Sequence, residues 1–247
     1  MLAMPAVAAL ATWGLLDPAG LSGFALSVTS YVLETFGGAV LLLATGCLLF
    51  CFWLALSRHG RKTLGIPAER PEFGTPSWIA MLFAAGMGTG LVVWGVAEPV
   101  THAVLPPGGG DLSSASARDA MVLTFLHWGL HAWAIYALCA LVIAWFAFRE
   151  GQPMTVSAPL GALGHHPSAR ALRTAADSLG ILAVVFGVAG TLAMGMLTVR
   201  SGLGGLGLSV EGGALPLIGL ALIGGIALVS AATSLGQGIR ILSDTNI

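Results

Sequence analysis

The chain has 247 residues, of which 56% are hydrophobic and only 9% charged, against about 25% charged in an ordinary soluble domain. That balance excludes a soluble enzyme and points to an all-α, multi-pass membrane protein whose first partner is the lipid bilayer. The formal net charge of −1 comes with no basic run of the kind that binds nucleic acid, so no nucleic-acid partner is expected.

Six apolar segments follow in chain order, at about residues 2–16, 37–57, 77–97, 121–148, 178–199 and 216–233. A span needs roughly 20 residues to cross the hydrocarbon, so the first reads as a span cut off at its N-terminal end. A secretory signal peptide would need a basic stretch before its apolar core, and none is present. Arg58, Arg61, Lys62 and Arg70 follow the second segment, Arg149, Arg170 and Arg173 the fourth, and Arg240 the sixth. Only Arg118 and Arg200 fall on the other side, which makes the loops after segments two and four and the C-terminal end cytoplasmic. Residues 17–36, 98–119 and 200–215 then face outward.

Between their ends the segments hold no Asp, Glu, Lys or Arg, residues that a proton-relay pump would carry inside the membrane. Cys47, Cys51 and Cys139 read as small apolar packing material rather than a disulfide or metal site.

The third segment contains Phe83-Ala-Ala-Gly-Met-Gly-Thr-Gly-Leu-Val-Val-Trp-Gly-Val-Ala-Glu-Pro99. Gly86, Gly88 and Gly90 stand at alternate positions, each costing a helix about 1 kcal/mol relative to alanine. Hydrocarbon offers no water to a loosened backbone, so carbonyls and N–H groups released there are expected to line a cavity or bind something, as in transporters with broken helices.

The fourth segment contains His127-Trp-Gly-Leu-His-Ala-Trp-Ala-Ile-Tyr136. On a continuous helix at about 100° per residue, Trp128, Tyr136 and Trp133 fall at about 0°, 80° and 140° and spread over some 12 Å. Such a wall of aromatic faces suits a quaternary ammonium group; an interfacial aromatic belt reads equally well. His127 and His131, one turn apart, leave open a haem or metal site in a membrane redox subunit, although such sites usually draw ligands from two helices.

Together these stretches resemble the betaine–carnitine–choline transporter family. The run from Gly86 to Pro99 is similar to the family's glycine-stretch span, and that from His127 to Tyr136 to its aromatic-box span. Phe148-Arg-Glu-Gly-Gln-Pro, Val185-Phe-Gly-Val-Ala-Gly-Thr-Leu-Ala-Met-Gly195 and Ser57-Arg58-His-Gly agree with further family positions, in the right order from about Trp13 to the C-terminus.

The resemblance implies a twelve-span secondary transporter with a leucine-transporter-like inverted repeat, working by alternating access. Residues 1–247 would form a single transmembrane fragment, with 1–75 the first two spans and 76–247 an incomplete first inverted repeat. The family would place Trp128, Trp133 and Tyr136 on one side of a trimethylammonium cage. Met87, Gly88 and Gly90 would lie beside the substrate, and the backbone carbonyls of Ala84 and Met87 would give half of a sodium site. The implied substrate is a zwitterion such as glycine betaine, in a bacterial cytoplasmic membrane, with no cofactor beyond sodium as the coupling ion. A homo-oligomer is one arrangement left open.

Three departures go with it. The chain stops at Ile247, where the family's seventh span would begin, so the rest of the cage is expected from a longer gene. Val184 and Val188 stand where sodium-coupled members carry threonines, with Thr191 nearby. Thr89 replaces a branched apolar residue. Choline-type members carry an aspartate at the position matching Gly90. A non-transporting gene remnant or membrane scaffold subunit is the alternative.

Overall fold

The computed structural model describes residues 3–65, 70–86, 88–106, 109, 113–164, 166–207, 215–233 and 240–245. Among them are nine α-helices and two short 3-10 turns, and no strand. The helices are α1 (Ala3–Leu16), α2 (Pro18–Leu56), α3 (Thr75–Gly86), α4 (Thr89–Val104), α5 (Ser114–Trp128), α6 (Leu130–Phe148), α7 (Pro167–Gly205), α8 (Leu215–Ala232) and α9 (Arg240–Thr245).

Apart from Ser57, Gly88, Gly129 and Thr233, the described residues of all six apolar segments are helical. Pro18–Leu56, Ala115–Phe148 and Pro167–Gly205 are each long and apolar enough to cross a membrane, and α3 with α4 together have the length and composition of a fourth, bent at their junction. Ala3–Leu16 and Ile218–Ser230 are shorter apolar helices.

The chain forms two compact units, Met1–Glu69 with Phe125–Val185, and Arg70–Thr124 with Phe186–Ile247. In the first, Asp17 separates α1 from α2. Its side chain accepts the Gly20 N–H at 2.9 Å and Pro18 takes the first helical position, where a missing N–H costs nothing. Trp13 and Phe24 then meet across the turn with ring centroids 5.4 Å apart.

Residues 17–36, read from sequence as an outward region apart from the second span, are continuous helix with it from Pro18 onward. No proline interrupts residues 19–56, and once nucleated a helix propagates through such a run. At about 1.5 Å per residue α2 is nearly 60 Å long, twice the hydrocarbon thickness of about 30 Å.

α6 packs against α2, where Cys51 Sγ lies 3.6 Å from the Ala134 carbonyl that accepts its weak hydrogen bond. The loop after α6 folds back on α7. Asp177 accepts the Ser157 N–H at 3.0 Å and the Ser157 hydroxyl at 2.7 Å, and Val156 fits against Gly180, where a Cβ would come within 3.0 Å of its methyl.

In the second unit α9 lies against α3, with the Ser77 hydroxyl donating to Asp244 at 3.1 Å and Arg240 pairing with Asp244 at 3.5 Å. Gly219 of α8 faces Met196 of α7, 3.1 Å from the sulfur to a notional Cβ. Among the described residues the buried apolar ones are all alanines, including Ala44, Ala80, Ala120 and Ala134, while many leucines, valines and phenylalanines along the helices are exposed. Small residues at helix contacts and large apolar ones outside are what a lipid solvent selects, because hydrocarbon gives no drive to bury a leucine.

Candidate functional site

The glycine run breaks its span as the alternate glycines require. α3 ends at Gly86 and α4 starts at Thr89, and their axes differ by 51°. Gly88 is the N-cap of α4 in an extended conformation, φ −72° and ψ 170°, with no side-chain cap. Its carbonyl accepts from the N–H groups of Leu91 at 3.0 Å and Val92 at 3.3 Å. A Cβ at Gly88 would meet nothing within 4 Å, so the missing side chain leaves open space beside the backbone.

The last four carbonyls of a helix and the first N–H groups of the next lack intrahelical partners. The Ala84 carbonyl belongs to the first set and the backbone around Gly90 to the second; Met87 lies outside the described residues. The N-terminus of α4 therefore offers donors and a positive dipole end suited to an anionic group, and the C-terminus of α3 offers oxygens suited to a cation. Thr89 packs its side chain toward α7, 3.7 Å from a notional Cβ at Gly195.

The aromatic residues Trp128, Trp133 and Tyr136 all lie in the first unit. A continuous helix through residues 127–136 is interrupted at Gly129, whose φ −90° and ψ −149° end α5 at Trp128 and start α6 at Leu130. A side chain there would collide with the Phe125 carbonyl, so the break is built around the glycine. Helical bonds still run across it, from the Gly129 N–H to the Phe125 carbonyl at 2.9 Å and from the Trp133 N–H to the Gly129 carbonyl at 3.4 Å, so Ala115–Phe148 remains one span.

The Trp133 indole N–H donates to the Trp128 carbonyl at 3.1 Å, which fixes the ring. Trp133 and Tyr136 form a tilted pair with centroids 5.8 Å apart and planes at 38°. Trp133 is 41% and Tyr136 71% exposed. Two aromatic faces are therefore paired and accessible, a geometry able to attract an alkylammonium cation through ring quadrupoles.

A further pair escaped the sequence reading. Glu98, one residue beyond the expected end of its span, is 8% exposed inside α4 and lies 3.3 Å from His102 Nε2 one turn on. The acid–histidine spacing of four was the available signal. On α7, Val184 and Val188 are exposed, and the Thr191 hydroxyl donates to the Gly187 carbonyl at 2.9 Å, so its proton is committed to its own helix while its oxygen can still accept or coordinate.

A multi-pass all-α membrane protein with a span broken at glycines and a fixed aromatic pair belongs to the class of helical membrane transporters. The family model described as BCCT, betaine/carnitine/choline family transporter, matches residues 1–247. The chain is 39% identical over 241 residues to "Glycine betaine transporter OpuD" of Bacillus subtilis, covering 97% of this chain and 47% of that protein. It is 33% identical over 218 residues to "Glycine betaine transporter" of Acinetobacter baylyi, covering 88% of the chain and 33% of that protein. It is 36% identical over 226 residues to "High-affinity choline transport protein" of Escherichia coli K12, covering 88% and 32%.

The chain belongs to the betaine/carnitine/choline transporter family. It spans between about a third and a half of the length of these relatives. Family members are transporters rather than enzymes, so the haem-subunit reading of His127 and His131 falls away.

Proposed function

We propose that this chain carries substrate-recognition elements of a secondary transporter for small zwitterionic quaternary ammonium solutes, glycine betaine being the type. The observation that carries the proposal is the Trp133–Tyr136 pair, held by the Trp133 hydrogen bond to Trp128. A ring whose orientation is already fixed loses little entropy on binding, and its face attracts a trimethylammonium group without a formal charge in the span.

Gly90 supports the choice of a zwitterion. A buried cation without a compensating anion is costly, and the uncharged residue at this position leaves that compensation to the substrate's own carboxylate. The donors at the start of α4 are suited to a carboxylate. Glycine betaine transporters among the relatives favour the same substrate class.

Sodium is the coupling ion we propose, with the Ala84 carbonyl as one oxygen ligand and Met87 as a second. Val184 and Val188 lack the hydroxyls that a further sodium site would use. The setting is a bacterial cytoplasmic membrane, in agreement with the distribution of arginines and lysine and with bacterial relatives.

The test is a chimera in which this chain replaces the matching part of the Bacillus subtilis relative. Equilibrium binding of labelled glycine betaine should survive the exchange and fall on Trp133→Ala. Binding that survives the exchange but ignores Trp133→Ala would remove the aromatic pair from recognition.

A further inference from the structure

At the cytoplasmic end of α2 and α6 the first unit encloses a cavity of about 590 Å³. Its walls are apolar, built from Phe50, Trp53, Leu138, Leu141 and Trp145, and its rim holds Lys62. Phe50, Trp53 and Leu141 stay 44%, 53% and 42% exposed, so the cavity opens outward from the two helices.

The rim is held in place by local structure. Ser57 caps a 3-10 turn over Arg58–Arg61, its hydroxyl accepting the His59 N–H at 3.2 Å. Gly60 lets that turn fold onto the end of α2, since a Cβ would lie 2.8 Å from the carbonyl oxygens of both Leu54 and Ala55. The His59 ring rests 5.5 Å from that of Trp53, and Lys62 Nζ reaches 5.6 Å from the Trp145 ring centroid.

The Arg149 guanidinium lies 5.7 Å from the same ring. Two cations thus share one indole, and among the described residues neither forms an ion pair with a carboxylate. Two cations gathered at one indole and without a carboxylate partner attract an anion, and the apolar walls ask for something that also carries hydrocarbon. The arginines and lysine place this end at the cytoplasmic leaflet, where anionic lipids gather and basic pockets between helices hold their headgroups.

We propose that this cavity is a binding site for one anionic phospholipid of the cytoplasmic leaflet, with an acyl chain along Phe50, Trp53, Leu138 and Leu141 and the phosphate between Lys62 and Arg149. A phosphatidylethanolamine brings its own ammonium group to two cations, so the site discriminates against it. This assignment is independent of the transported solute.

The experiment is native mass spectrometry of the delipidated 247-residue chain titrated with dioleoyl phosphatidylglycerol or dioleoyl phosphatidylethanolamine. Phosphatidylglycerol should form a one-to-one adduct at about tenfold lower concentration, on the scale of electrostatic attraction by two cations. The double substitution Lys62→Gln with Arg149→Gln should erase that preference, whereas Arg200→Gln, an equal loss of charge per site on the outward side, should leave it intact. Equal binding of the two lipids by the unmodified chain would overturn the proposal without recourse to any variant. So would displacement of the lipid by millimolar inorganic phosphate, or an equal loss of preference in Arg200→Gln.

Discussion

The indole N–H of Trp133 donates to the backbone carbonyl of Trp128 at 3.1 Å across the break at Gly129. One hydrogen bond therefore links the end of α5 to the first ring of the aromatic pair and fixes the orientation of that side chain. Removing the ring and removing only the hydrogen bond should have separable effects.

In the chimera, Trp133→Ala should weaken glycine betaine binding by about thirtyfold, the equivalent of about 2 kcal/mol for a desolvated cation–π contact. Trp133→Phe keeps an aromatic face but loses the N–H, and should fall between the two. His131→Ala should cost less than either. Calorimetric titration checks the order, and equal losses for Trp133→Ala and His131→Ala would show that the aromatic pair is not the recognition element.

Gly129→Ala should be destabilising, because its Cβ would run into the Phe125 carbonyl. Relief requires shifting the junction of α5 and α6, at a cost of about 1–3 kcal/mol. Thermal unfolding followed by circular dichroism should show a lower midpoint, with an altered tryptophan emission spectrum from the displaced Trp133. An unchanged midpoint and spectrum would mean that the break does not depend on glycine.

Asp177 holds the loop after α6 through two hydrogen bonds to the buried Ser157. Bonds to a charged acceptor contribute about 1.5–3 kcal/mol, so Asp177→Ala should speed hydrogen exchange at the Ser157 amide by at least about tenfold. Asp177→Asn, which keeps one acceptor oxygen, should be milder. Unaltered exchange in Asp177→Ala would show that the loop is held by other contacts.

Gly90→Asp places an anion on the first turn of α4. It should raise affinity for choline, whose cation gains a partner, and lower affinity for glycine betaine by repelling its carboxylate. Competition binding of the two ligands to the chimera and its variant reads both changes, and a parallel shift of the two affinities would contradict the charge argument.

Much of this was legible in the sequence, for identifiable reasons. Apolar runs located all six helical segments because membrane spans are selected on length and hydropathy alone. Gly86, Gly88 and Gly90 announced the broken span because alternate glycines weaken a helix wherever they stand. The break at Gly129 was hidden, since one glycine between tryptophan and leucine is tolerated in most helices and only the crowding at Phe125 reveals its role. The extension of α2 back to Pro18 was also missed, because 18–36 carries polar residues without any helix breaker after Pro18. Ser157 and Asp177 lie 20 positions apart, a tertiary contact that no periodicity encodes. Glu98 was placed at a span's edge because its polarity argued for water; its burial at 8% exposure beside His102 is a matter of packing, which polarity alone does not encode.

We propose that a transporter completed from this chain prefers a betaine-like zwitterion to a bare quaternary cation. That preference is tested most directly by uptake of labelled glycine betaine into cells expressing the chimera, with unlabelled glycine betaine or choline as competitor. Uptake should exceed that of cells without the chimera and be suppressed by glycine betaine at concentrations at least about tenfold below those at which choline acts. Suppression by choline at equal or lower concentration would contradict it.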